Sequence, residues 1–166
     1  MIENFDEKCA AIVLLAANEL VNKHGFAAVA ESLTGGMLAS EIVNVPGSSN
    51  WFTEGCVTYS NEAKIRSLGV SPAVLDEYTA VSRPVAKAMA EGLLLKTNAD
   101  VAVSTTGLAG PGPDELGRES GLVFIGGATK KGSVTRELRL SGDRTEIRQQ
   151  TVLSALTLLL ELAKLV

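Results

Sequence analysis

Ala28-Val29-Ala30-Glu31-Ser32-Leu33-Thr34-Gly35-Gly36-Met37 is the stretch whose reading decides the fold. Phe26 to Ala30 form a short apolar run, a serine and two glycines interrupt it, and Leu38, Ile42 and Val43 then recur at helical spacing. This pattern predicts a strand, a tight turn and a helix. In an α/β layer protein such a junction lifts Ser32 and the N–H groups of the following turn to the carboxyl edge of a sheet, where ligands bind. Ser32 is therefore a candidate for chemistry. Capping the helix is the commoner use of a residue such as Ser32 or Thr34, and this stretch alone favours the cap.

Working outward, residues 5–23 set Cys9, Ile12, Val13, Ala16 and Leu20 at intervals of three and four, which predicts an amphipathic helix stopped by Gly25. His24, the only histidine, precedes that glycine and suits a helix C-terminal charge or cap. Downstream, Val45-Pro46-Gly47-Ser48-Ser49-Asn50 is dense turn chemistry, and Trp51 to Ser60 then reads as a strand through Phe52, Cys56, Val57 and Tyr59. A helix opens at Asn61 and ends at Gly69. Ser71-Pro72 and Ser82-Arg83-Pro84 each place a capping residue before a first-turn proline, predicting two more helices, the second with Val85, Met89 and Leu93 on one stripe. Asp100 to Thr105 reads as a third strand and Thr106 to Pro113 as a loop. Gly121 to Thr129 and Val134 to Leu140 read as an antiparallel pair joined by Lys130-Lys131-Gly132-Ser133. Asp143 with Glu146 resembles a capping box that opens a long final helix.

Strands alternating with helices and ending in one hairpin predict a three-layer α/β/α sandwich around a mixed, mostly parallel five-stranded sheet. A length of 166 residues suits a single domain over 1–166. Right-handed crossovers make the first three strands parallel, so their carboxyl ends share one edge. That edge receives Ser32, the Tyr59-to-Lys64 segment and the loop from Thr105 to Gly110, and this convergence raises Ser32 above a mere cap.

Composition narrows the function. The chain is 46% hydrophobic and 20% charged, which is globular, and no apolar run approaches a membrane span. Glu3, Asp6 and Glu7 near the amino terminus are unlike a secretory signal, so a cytoplasmic protein is expected. A net charge of −4 gives no general attraction to nucleic acid or anionic membrane, and an anionic ligand must be held locally. Cys9 and Cys56 lack metal-ligand spacing and sit in apolar surroundings, as buried free thiols do.

A serine hydroxyl needs a neighbouring base, and no histidine is available for Ser32. Lys64 can serve if it is desolvated, because burial lowers a lysine's pKa and leaves a neutral amine able to take a proton; a solvated helix lysine is the commoner fate. Tyr59 either relays or orients that proton or fills space. Gly35 and Gly36 allow close backbone approach, so N–H groups of this turn are candidates to hold an oxyanion. The chain has no Gly-x-Ser-x-Gly elbow, and Ser60 lies four residues before Lys64, so Ser-x-x-Lys is absent while a Ser60–Lys64 pair on one helix face remains a fallback. Walker and GxGxxG loops are also missing.

Ala30-Glu31-Ser32-Leu33-Thr34-Gly35-Gly36, Val45-Pro46-Gly47-Ser48-Ser49, Val57-Thr58-Tyr59-Ser60-Asn61-Glu62-Ala63-Lys64, Thr106-Gly107-Leu108-Ala109-Gly110-Pro111 and Gly142-Asp143-Arg144, in this order, resemble the CinA carboxy-terminal domain family, the nicotinamide-nucleotide amidases. The resemblance covers nearly the whole chain. It implies a bacterial enzyme that hydrolyses the carboxamide of nicotinamide mononucleotide to nicotinate mononucleotide and ammonia without metal or organic cofactor. It places the family's serine on Ser32, its lysine on Lys64, its tyrosine on Tyr59, its loop threonine on Thr106 and its late arginine on Arg144. Thr34, Gly35, Gly36, Asn61, Gly107 and Arg148 complete the expected substrate site. Two positions depart from the family pattern. Leu33 stands where a small residue, often cysteine, is usual, and 111–121 lacks the usual extra glycines and Lys-Pro-Val-Gly ending. The alternative is a CinA-like paralogue, weak or inactive as a catalyst, that binds a nucleotide in a regulatory or competence- or DNA-damage-related role.

Two expectations concern the final helix. Leu153, Leu156, Leu158, Leu159, Leu160 and Leu162 surround its axis, so it either lies deep in the core or packs against a second subunit, and a homo-oligomer, most simply a dimer, is expected. If Asp143 caps it, Arg144 lies in the first turn and Arg148 one turn on, near N–H groups that favour an anion. Both arginines suit surface charges balancing Asp143 and Glu146; the family resemblance implies that Arg144 holds the substrate phosphate, while for Arg148 a surface charge is as good an account.

Overall fold

The computed structural model describes residues 1–166. In chain order it forms α1 (Phe5–Asn22), β1 (Ala27–Glu31), α2 (Met37–Val43), a 3₁₀ turn (Ser48–Asn50), β2 (Phe52–Val57), α3 (Asn61–Leu68), α4 (Pro72–Tyr78), α5 (Arg83–Lys96), β3 (Val101–Gly107), β4 (Leu122–Thr129), β5 (Gly132–Arg139) and α6 (Arg144–Ala163). The sheet order is β2-β1-β3-β4-β5. β1 pairs in parallel with both β2 and β3, and β4 is antiparallel to both of its neighbours, so β4 alone runs against the other four strands.

The period-two alternation of strand side chains sorts the sheet into two cores. Ala27, Val29, Val101, Val103, Val123 and Ile125 face α1, α2 and α6. Ala28, Ala30 and Ala102 face the side of α3, α4 and α5. That second face is built of small residues so that α5 can lie close. A Cβ added at Gly126 would stand 2.3 Å from the Ala86 carbonyl oxygen, and the Ser104 hydroxyl donates to that oxygen at 2.6 Å. β1 is buried along its whole length because it is central and covered on both faces, which is why it reads as an unbroken apolar run. β2, at the edge, is mostly exposed.

α6 is buried through Ile147, Val152, Ala155, Leu156, Leu158, Leu159 and Leu162, in one core with Cys9, Val13, Ala16 and Leu20 of α1. Its apolar circumference is thus covered within the chain, with Leu153 and Leu160 packed at the border. Asp143 and Glu146 form the expected capping box. No helix is long and apolar enough to cross a membrane.

Four local expectations are corrected. The residue that stops α1 in the left-handed region is His24 (φ 54°), not Gly25; His24 N–H donates to Val21 O and Gly25 N–H to Leu20 O, a two-bond helix end that a histidine completes at modest steric cost. β3 runs two residues past Thr105, because Thr106 and Gly107 find antiparallel partners in Phe124 and Val123, so both stand on a strand end rather than in a loop. The β4–β5 connection is the two residues Lys130 and Lys131, since Thr129 pairs directly with Gly132. Cys9 is fully buried but Cys56 on the edge strand is only half-buried; both thiols are free.

Candidate active site

The β1–α2 junction carries the first site residue. Ser32 follows the last residue of β1, and its N–H donates to Thr105 O at 3.0 Å, which fixes it to the centre of the sheet edge. Neither Ser32 nor Thr34 caps α2. The capping is done by Glu31, which is fully buried and accepts N–H bonds from Gly36 (3.0 Å), Leu38 (3.1 Å) and Ala39 (2.9 Å). A carboxylate at the positive end of a helix is favourable, and here it leaves the Ser32 hydroxyl free for another partner. The glycines follow from the path of the chain: Gly35 (φ 59°) and Gly36 (φ 96°) turn left-handed between strand and helix.

That partner is Lys64. α3 begins with Ser60 capping Ala63 N–H, and one turn later its lysine points back under the sheet edge, with 1% of its surface exposed. Lys64 Nζ lies 3.0 Å from Ser32 Oγ, 2.7 Å from Thr58 O and 3.2 Å from Tyr59 O. No carboxylate pairs with it, and burial pushes its pKa down from 10.5 to about 8. The three acceptors match an ammonium, and they match the neutral amine as well. Two N–H bonds then stay on the two carbonyls while the lone pair faces the serine hydroxyl. At pH 7 a group of pKa about 8 is neutral in roughly one molecule in ten.

These two side chains open into a cavity of about 200 Å³ whose wall includes Leu33, Tyr59, Ala80, Val81, Thr106, Gly107, Ala109 and Arg144. Of the residues singled out from the sequence, Ser32, Tyr59, Lys64, Thr106, Gly107 and Arg144 meet there. Thr106 donates to Ala80 O at 2.7 Å, tying the β3 end to the segment before α5. Arg144, the first residue of α6, donates to Gly110 O at 2.6 Å and keeps its other guanidinium N–H groups free of partners within the chain. The Tyr59 phenol is exposed and makes no hydrogen bond; the residue reaches Lys64 through its carbonyl.

The other expected residues do not line the cavity. Asn61 is exposed at the start of α3, away from the cavity. Thr34 is buried with its hydroxyl on Thr105 (2.8 Å). The Gly35 N–H is used by Ser32 O at 3.1 Å and that of Gly36 by Glu31, so within the turn the N–H groups of Leu33 and Thr34 are the two without a partner in the chain. Arg148 does not reach the cavity either: its Nε donates to Leu33 O (3.1 Å) and a terminal nitrogen to Thr34 O (2.7 Å). Ser60, the fallback nucleophile, caps its own helix. No group of three or more His, Cys, Asp or Glu side chains is placed to hold a metal ion.

Sequence reasoning missed three residues that hold the site. Glu31 sits inside the quoted stretch, and a lone acid at the end of an otherwise apolar buried strand was the available signal. Arg118 pairs with Asp114 in the 111–121 loop and donates to Thr79 Oγ1 (3.0 Å) and Val81 O (2.9 Å), fastening the loop beside the cavity wall. Thr58, buried at the end of β2, offers its carbonyl to Lys64. Nothing in the spacing of the last two announces a role, because Arg118 reaches distant partners and Thr58 acts through its own backbone carbonyl.

The family model described as CinA C-terminal domain matches residues 10–163. A protein of Caldicellulosiruptor saccharolyticus, named as competence-damage inducible, is 50% identical over 131 residues, covering 79% of this chain and 32% of its own length. A protein of Clostridium botulinum with the same name is 46% identical over 143 residues, 86% of this chain and 35% of its own. The chain therefore spans about a third of the length of these curated relatives. Among solved structures, a competence-damaged protein (CinA) superfamily protein from Escherichia coli superposes with a TM-score of 0.90 at 30% identity, covering 97% of this chain and 94% of its own. The competence/damage inducible protein CihA from Agrobacterium tumefaciens gives 0.88 at 35% identity over 98% and 97%. Matched by that family model over residues 10–163 and superposing on CinA structures over nearly its full length, the chain belongs to the CinA C-terminal domain family.

Proposed function

We propose that the chain is an amidase that converts nicotinamide mononucleotide to nicotinate mononucleotide and ammonia through a Ser32–Lys64 dyad. The observation that carries this reading is a fully buried, unpaired lysine of lowered pKa 3.0 Å from the hydroxyl of a serine at the mouth of a cavity. Neutral Lys64 accepts the Ser32 proton as Oγ attacks the carboxamide carbon. The tetrahedral intermediate collapses when Lys64 returns that proton to the departing nitrogen, which leaves as ammonia. Water, deprotonated by Lys64, then cleaves the nicotinoyl ester and regenerates Ser32. A cavity of about 200 Å³ is below the ~300–1,000 Å³ of sites that engulf a drug-sized ligand. It suits the pyridine ring and its carboxamide, with ribose and phosphate extending toward Arg144 at the rim. Arg144 has free N–H groups in a planar fork that matches phosphate oxygens. A cytoplasmic, bacterial setting belongs to the same proposal.

The test is ammonium release from nicotinamide mononucleotide by purified protein, with Ser32→Ala beside it. Turnover by the wild type and its loss in Ser32→Ala support the reading; full activity in Ser32→Ala refutes the nucleophile. Nucleotide binding without turnover favours instead a binding protein of the competence-damage kind that the relatives' names suggest. Assembly is a separate proposal. With α6 covered inside the chain, a dimer has to use another face, and light scattering at micromolar concentration decides between monomer and dimer.

A further inference from the structure

We propose that Arg148 is a positioning residue that aims a backbone N–H of the Ser32 turn at the oxyanion, an inference that rests on the amidase reading above. Ser32-Leu33-Thr34-Gly35 is a β-turn closed by Gly35 N–H on Ser32 O. Its middle peptide joins Leu33 C=O to Thr34 N–H, and because a trans peptide is planar these two groups point in opposite directions. Arg148 Nε takes the Leu33 oxygen at 3.1 Å. The Thr34 N–H is therefore held facing away from Arg148, with no partner inside the chain. The second guanidinium bond, to Thr34 O at 2.7 Å, prevents the next peptide from rotating in compensation.

A β-turn's middle peptide has two orientations, type I and type II, and the flipped one requires a positive φ at the third residue. That residue is Thr34, whose φ is not positive, and a β-branched side chain resists the left-handed region. Threonine thus disfavours the flip and Arg148 secures the working orientation from α6, 115 residues away. On the other flank Glu31 holds Gly36, Leu38 and Ala39. The turn is gripped by an anion on its N–H side and a cation on its C=O side, which leaves the N–H groups of Leu33 and Thr34 as its unused donors. A guanidinium on Leu33 C=O also polarises the peptide and strengthens the Thr34 donor. This pair of bonds accounts for why Arg148 stands away from the cavity although Arg144, one turn earlier, lines it.

An oxyanion exists only after attack, so a group that aims its donor acts on turnover rather than on substrate affinity. The experiment compares wild type with Arg148→Met and Arg148→Lys, with folding checked by circular dichroism. It measures kcat and KM on nicotinamide mononucleotide and on the riboside, and the affinity of pyridine-3-boronic acid. In that adduct the Ser32 oxygen bonds to boron, the serine proton passes to Lys64, and the anionic tetrahedral boronate presents its hydroxyls to the turn. Loss of a whole oxyanion donor costs about 10²–10³ in kcat, so a donor left unaimed should cost roughly tenfold to a hundredfold. Arg148→Met is expected to show that loss on both substrates with KM within about twofold, and a matching loss of boronate affinity. Arg148→Lys, able to make one of the two bonds, should recover part of each. Unchanged kcat, or a KM rise confined to the phosphorylated substrate, overturns the inference; the latter would make Arg148 a phosphate ligand. A wild type that releases no ammonium yet binds the boronate, with Arg148-dependent affinity, would defeat the amidase reading and leave this inference standing. A folded wild type that neither turns over nor binds the boronate defeats both.

Discussion

Replacing Lys64 with methionine should make the protein's stability respond less to alkaline pH, by an amount the structure sets. Burial lowers the lysine's pKa to about 8 in the fold, whereas in the unfolded chain it returns to about 10.4. A cation with a depressed folded pKa destabilises the fold at low pH, and that deficit is relieved as pH rises from about 8 to about 10.4. In this window the unfolded chain holds one more proton than the folded one, so stability climbs by up to ~1.4 kcal/mol per pH unit. Integrated between pH 7 and 9.5, the gain is about 2 kcal/mol. In a chain of this size that is about 4–8 °C in Tm. Methionine removes the titration, and the carbonyls of Thr58 and Tyr59 that it leaves unpaired cost the same at every pH. The Cys9 and Cys56 thiols, pushed up by burial to about 12 and about 11, act in the opposite sense above pH 9. They are common to both proteins and cancel. Urea unfolding of both at pH 7 and 9.5 gives the double difference. Equal pH slopes in wild type and Lys64→Met would refute a depressed lysine. The same depressed value requires kcat/KM of the wild type to rise with pH and level off above about 8.

Arg144→Ala should weaken use of the mononucleotide roughly tenfold to a hundredfold or more, the worth of ~1.5–3 kcal/mol in a charge-assisted contact, and spare the riboside; equal loss on both substrates assigns Arg144 to the reacting end or to folding. Glu31→Gln replaces one acceptor oxygen with a donor facing backbone N–H groups and should lower unfolding free energy by about 2–3 kcal/mol in urea titration, whereas a loss under 0.5 kcal/mol would show that the α2 end needs no carboxylate. Gly126→Ala drives a methyl to 2.3 Å from the Ala86 oxygen and should cost about 1–3 kcal/mol by pushing α5 off the sheet; an unchanged Tm would refute the close approach of that helix.

The order of elements was legible because each carries a local signature: the capping box at Asp143, the serine caps before Pro72 and Pro84, and Gly69 in the left-handed region after α3. Ser71 supplies the residue type but no side-chain hydrogen bond, so that signature marked the boundary without its chemistry. The sheet edge followed from crossover handedness, which brings Ser32, Lys64 and Thr106 together from the sequence; Arg144 joined them only through the family resemblance. What stayed hidden are bonds from side chains to distant backbone. Arg148 reaches Leu33 and Thr34 across more than a hundred residues, and Arg118 reaches Val81 across 37. A carbonyl has no residue type, so no sequence pattern marks it. Glu31 was hidden for a different reason: a cap was sought among hydroxyls, and the acid one residue earlier took the role.

The cavity joins two parts of the chain held to different degrees. Ser32 hangs from a strand buried on both faces and hydrogen-bonded on both edges, and Lys64 is buried beneath it. The rim at Arg144 rests on Gly110, and from 110 to 120 no residue is buried. Amide protons read this difference directly. The Ser32 N–H, shielded by the Thr105 carbonyl, exchanges with solvent only when the domain unfolds, while those of residues 112–119 exchange through small local openings. Arg118, on Thr79 and Val81, and Arg144, on Gly110, are the ties that hold this rim to the wall, so the rim can give way at those bonds while the serine and lysine stay together.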